Sequence, residues 1–104
     1  DTLGIQGFRY AKDGDLETWL KPLANGDWAI CFLNRGKEPC KVEMDWNFFR
    51  VEDDFSKLTI DTSKDKYTIR DIWQKKNLGK TSKMFKSTVP AQDVIMLRIC
   101  KTVK

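Results

Sequence analysis

The chain has 104 residues, enough for one hydrophobic core but not for a barrel enzyme with an accessory module. Hydrophobic residues make up 40% and charged residues 33%, an ordinary globular balance that excludes the low-hydropathy composition of disordered chains. Nineteen basic against fifteen acidic residues give +4, with the lysines scattered, so no nucleic-acid partner is expected; no apolar run approaches a membrane span, so no membrane partner is expected either.

In chain order, Leu16, Thr18 and Leu20 alternate with Glu17, Trp19 and Lys21, the period of two expected of a strand, and Pro22 ends it or marks an edge. Asn25-Gly26 tolerates positive φ in a tight hairpin turn, and residues 27–34 return as the partner strand. There Trp28, Ile30 and Phe32 share one face and Ala29, Cys31 and Leu33 the other. A sandwich strand needs only one apolar face, so the surplus predicts cover from a neighbouring loop, a partner or another domain.

Arg35-Gly36 makes the next turn, after which Cys40, Val42, Met44 and Trp46 alternate with Lys41, Glu43 and Asp45. Between residues 47 and 66 the pattern weakens to an apolar cluster at Phe48, Phe49, Val51 and Phe55 and a short strand at 58–60. A strand follows at 67–73, then a turn at Asn77-Leu78-Gly79, a strand at 82–89, and a last one at 94–101. Short strands at this spacing predict an all-β fold: an antiparallel two-sheet β-sandwich with Greek-key connections and about seven to eight strands, spanning 1–104 as a single domain.

The chain has no histidine, which removes the commonest general base, Ser-His-Asp and Cys-His catalysis, and histidine-ligated zinc. Cys31, Cys40 and Cys100 lack Cys-x-x-Cys spacing and read as free thiols, with a Cys31–Cys40 disulfide left open. The order Cys31, Trp46, Cys100 mimics an immunoglobulin domain, but Arg98 stands where the tyrosine corner belongs and no strand follows Cys100. Asp13, Asp15, Glu17, Glu52, Asp53 and Asp54 read as solvated turn carboxylates. No catalytic, cofactor-binding or metal-binding residue is therefore expected.

Five segments then carry a resemblance. Asp1-Thr2-Leu3-Gly4-Ile5-Gln6-Gly7, Leu16-Glu17-Thr18-Trp19-Leu20-Lys21-Pro22-Leu23, and the stretch from Gly26-Asp27-Trp28 to Asn34-Arg35 stand in the order of a known family. So do Tyr67-Thr68-Ile69-Arg70-Asp71-Ile72-Trp73 with Asn77-Leu78-Gly79, and Val89-Pro90 through Arg98. Together they resemble the C-terminal β-sandwich of family-27 glycoside hydrolases of the α-galactosidase (melibiase) type. Gln92-Asp93 departs from the family's His-Gly before the last strand, and residues 47–66 run longer.

The resemblance implies a catalytic (β/α)₈ barrel N-terminal to this chain, as its partner within one polypeptide, acting on terminal α-galactosides by a retaining two-aspartate mechanism without a cofactor. It implies a parent from a family often secreted, periplasmic or lysosomal. Leu3, Ile5, Trp28, Ile30 and Phe32 are the candidate barrel-interface residues, with the opposite face of that strand, Ala29, Cys31 and Leu33, as the alternative to the last three. The alternative is an autonomous carbohydrate-binding module holding galactosides on surface aromatics, with Trp19, Trp46 and Trp73 as candidates, although Trp73 reads more readily as core or interface filler.

Overall fold

The computed structural model describes residues 7–101. Ten strands run through them: β1 (Phe8–Asp13), β2 (Leu16–Pro22), β3 (Trp28–Asn34), β4 (Cys40–Met44), β5 (Arg50–Glu52), β6 (Thr59–Asp61), β7 (Tyr67–Asp71), β8 (Lys76–Lys80), β9 (Phe85–Val89) and β10 (Val94–Lys101). One antiparallel sheet has the order β1-β2-β3-β10-β7-β8; the opposing layer is built from the pairs β4–β9 and β5–β6. β3 and β10 are neighbours although the chain visits the second layer between them, the crossing pattern of a Greek-key sandwich.

The strand count exceeds the expected seven to eight, and the additions have one cause. β1, β5 and β8 carry little apolar alternation; β1 and β8 are edges held chiefly by backbone pairing, with every β8 residue exposed. The turn expected at Asn77-Leu78-Gly79 is part of β8, and the chain reverses earlier, at Lys75, whose φ is 55° and whose N–H donates to the Asp71 carbonyl at 2.9 Å. The Asn25-Gly26 hairpin forms as expected, with φ of 63° and 81° at the two residues and β2 and β3 paired from Leu16↔Asn34 to Pro22↔Trp28.

Trp28, Ile30 and Phe32 lie in the interior, at 1%, 0% and 2% exposure, so these three candidate interface residues supply the domain's own core and present no surface. Leu20 beside them, Leu97 and Ile99 on β10, and Tyr67 and Ile69 on β7 complete that wall. Val42, Phe85, Val89, Ile60, Trp46 and Phe49 face it from the second layer. Phe32 and Phe85 stack across the layers at 6.1 Å between ring centres. Each large side chain buried this way contributes about 1.5–3 kcal/mol.

One buried polar residue joins the layers at their end. Asn34, fully enclosed, directs Nδ2 to the carbonyls of Glu38 (2.7 Å), Val89 (3.1 Å) and Pro90 (3.2 Å), while its Oδ1 accepts from the Gly36 N–H at 2.9 Å. The β3–β4 turn and the end of β9 are tied to one side chain.

Candidate docking face and tryptophan cleft

Because strand side chains alternate, the residues not used in the core form the outer face of the six-stranded sheet. Its central rows are fixed by register: Trp19 opposite Cys31 opposite Met96, then Glu17 opposite Leu33 opposite Val94. Trp19, Cys31, Leu33, Val94 and Met96 are all half-buried, a contiguous apolar surface on β2, β3 and β10. A basic row crosses beyond it, Lys21, Ala29, Arg98 and Arg70, with Arg98 donating from Nε and Nη2 to Asp27 Oδ2 at 3.1 and 3.0 Å.

The other end is closed by Glu17, which is not the solvated turn carboxylate expected but a strand residue only 4% exposed. Its Oε1 accepts from Trp19 Nε1 at 2.9 Å and its Oε2 from Arg35 Nε at 2.8 Å, with Arg9 at 3.8 Å. The Trp19 hydrogen bond and then the Arg35 guanidinium hold this carboxyl below the usual glutamate range. The effect is to pin the indole of Trp19 on the outer face. An apolar centre with a polar, charged rim is the character of a protein-binding surface.

A second feature is a cleft of about 430 Å³ beside Trp73, lined among others by Asp71, Gln74, Lys76, Ser87 and Thr88. Trp73 is 59% exposed and so is not core. Asp71 spends Oδ1 on the Gln74 N–H at 2.8 Å, which shapes the turn that presents the indole. Among the described residues no three His, Cys, Asp or Glu side chains stand together as a metal-binding group.

The remaining sequence candidates divide. Leu3 and Ile5 lie outside the described residues. Trp46, at 1% exposure and edge-on to Phe49 at 5.5 Å, is interior and is no stacking platform for a sugar. The three cysteines are free thiols, with Cys31 on the outer face of β3 and Cys40 on β4 in the other layer. Val94 and Met96 were missed as face residues; the signal was their alternation with Ile95 and Leu97 on the last strand.

Comparison with known proteins accounts for this sandwich. The family described as the alpha-galactosidase C-terminal beta sandwich domain matches residues 13–99. Alpha-galactosidase A of Cellvibrio japonicus is 38% identical over 99 residues, covering 95% of this chain and 24% of that protein. Among solved structures, alpha-galactosidase I from Mortierella vinacea superposes with a TM-score of 0.68 at 26% identity, over 89% of this chain and 22% of that one. A family-27 β-L-arabinopyranosidase from Geobacillus stearothermophilus shares the fold, with a TM-score of 0.70 at 15% identity over 94% of this chain and 20% of its own. The chain thus spans about a quarter of the length of the curated relatives it matches. It belongs to the family of α-galactosidase C-terminal β-sandwich domains.

Proposed function

We propose that this domain is the non-catalytic C-terminal module of an α-galactosidase-like glycoside hydrolase, and that it packs on and stabilises a catalytic (β/α)₈ barrel N-terminal to it in the same polypeptide. The observation that carries the proposal is the outer sheet face: Trp19, Cys31, Leu33, Val94 and Met96 form a half-open apolar patch with a polar rim, on a domain whose core is already complete without it. The interface is therefore the row opposite Trp28, Ile30 and Phe32. Hydrolysis of terminal α-D-galactosyl residues, with retention and two aspartates, belongs to the barrel. Retaining chemistry needs two carboxyls about 5–5.5 Å apart around one bond, and this domain's part is to hold the barrel that brings them together.

Cys31 reports on that face. In the 104-residue chain, maleimide labels Cys31 under native conditions; in the full-length parent Cys31 is protected while Cys40, in the other layer, keeps its reactivity. Equal labelling of Cys31 in both would remove the docking face from the proposal.

A second reading, carbohydrate binding by the domain itself, rests on Trp73 alone among the original candidates with an open indole beside a cleft. Titration with melibiose or galactomannan would quench tryptophan fluorescence saturably in the parent sequence and not in Trp73→Ala. No saturable change at millimolar sugar ends this reading.

A further inference from the structure

Two further exposed apolar features stand out, the second adjoining the Trp73 cleft, with which it shares Leu78, Phe85 and Ser87. The first is the tip between β5 and β6. Asp53, 8% exposed, accepts from the Ser56 N–H at 3.0 Å and its hydroxyl at 2.6 Å, and its backbone bonds to Leu58 and Lys57 at 2.9 and 2.8 Å. These contacts hold the tip in one shape with Phe55 89% exposed and Leu58 beside it at 36%. Exposed Glu52 and Asp54 precede Phe55 and exposed Lys57 follows it, so the protruding ring has an acidic flank on its N-terminal side.

The second feature is a groove of about 390 Å³ in the open seam between β8 and β9, each of which has a free edge among the described residues. Leu78, Met84 and Phe85 line it, with Met84 50% and Leu78 36% exposed. Lys80, Lys83 and Lys86 also line it, and no acidic side chain does. Lys86 has Glu43 as its cross-strand neighbour in the β4–β9 pair, whereas Lys80 stands opposite Thr68 in the β7–β8 pair, so Lys80 and Lys83 are the cations matched to a partner.

We infer that the β5–β6 tip of one copy seats in the β8–β9 groove of a second copy, Phe55 against Leu78 and Met84, and Glu52 and Asp54 against Lys80 and Lys83. The match is of apolar ring to apolar floor and of acidic flank to basic rim. The tip stands away from the groove of its own chain: Phe49, at the start of the β5–β6 unit, packs edge-on against Tyr10 of β1 at 5.4 Å, whereas β8 is the opposite edge of the same sheet. Tip and groove are different surfaces, so the contact is heterologous and propagates head to tail. A contact the size of one hairpin tip belongs to the weak, transient class below about 1,200 Å².

Sedimentation velocity on the 104-residue chain tests this, with Phe55→Ser and the double variant Lys80→Glu, Lys83→Glu, all exposed positions whose folding is checked by circular dichroism. The expected result is concentration-dependent association that extends beyond dimers and weakens with salt. Each variant alone loses association at least tenfold. An equimolar mixture of the two forms a capped 1:1 dimer, because one retains its groove and the other its tip. A monomer at every concentration, a variant that associates like the parent sequence, or a mixture that fails to pair overturns the inference. So does cross-linking in the full-length polypeptide that places a segment of the catalytic portion in the groove.

Discussion

Replacing Asn34 by alanine tests the connection between the two layers most directly. The carboxamide has two N–H donors aimed at three carbonyls, plus one oxygen on the Gly36 N–H, so it satisfies about three hydrogen bonds at a time. Each contributes about 1 kcal/mol net, and a buried partner left unpaired costs about 1–3 kcal/mol. Allowing some relaxation towards water at the turn, the loss is about 3–5 kcal/mol, a large share of the roughly 5–15 kcal/mol that holds a domain folded. In thermal terms this is a fall in Tm of roughly 12–30 °C at this chain length.

Urea unfolding followed by tryptophan fluorescence reads it out. Asn34→Asp keeps the acceptor for Gly36 but turns a second oxygen towards the carbonyls, which raises the folded-state pKa of the new carboxyl. The sign follows: the protonated form donates, so its stabilisation is present below the unfolded pKa and disappears as pH rises through the folded one. Asn34→Asp should therefore recover towards the parent stability in acid. A loss under about 1 kcal/mol for the alanine variant, with an unchanged urea slope, would show that Asn34 does not join the layers.

Four further outcomes follow from named contacts. Glu17 titrates below its usual range in the folded chain, chiefly through Trp19 and then Arg35, so its contribution is full above the ordinary glutamate pKa and is lost as pH falls through the lowered value; Glu17→Gln should flatten the acid limb of the stability curve. Leu97→Ala, at a fully enclosed position of β10, should cost about 2–5 kcal/mol in urea unfolding. Arg98→Met breaks a pair in which the guanidinium is 42% exposed, and should cost no more than about 1 kcal/mol. Burial pushes the Cys31 thiol above its usual range, so iodoacetamide should alkylate it more slowly at neutral pH than a fully exposed thiol, with the rate rising steeply in alkali.

The strands that were legible in sequence are those with one face in the core. Leu16 to Lys21 alternates because water and core select opposite residues at successive positions, whereas Trp28 to Asn34 and Val94 to Lys101 are legible as short runs rich in aromatic, β-branched and other apolar residues bounded by turn signals. β1 and β8 escaped because an edge strand is specified by the neighbour it pairs with, and Phe-Arg-Tyr-Ala-Lys-Asp or Lys-Asn-Leu-Gly-Lys shows no such selection. Glu17 was misread for a related reason. It is a carboxylate close to the Asp13–Asp15 turn, but the groups that enclose it arrive from Arg35 and from the Trp19 ring two residues along.

The sequence by itself determined the class of fold, the hairpin at Asn25-Gly26 and the family, because alternation, turn chemistry and ordered motifs are local properties written along the chain. It also showed that β3 is apolar on both faces. Which face is core was decided only in three dimensions. Trp28, Ile30 and Phe32 meet the second layer, so the surplus row of Cys31 and Leu33 joins Trp19, Val94 and Met96, residues far apart in sequence that only the β2–β3–β10 register brings side by side. A period of two states that two faces exist; long-range pairing assigns the inside and the outside.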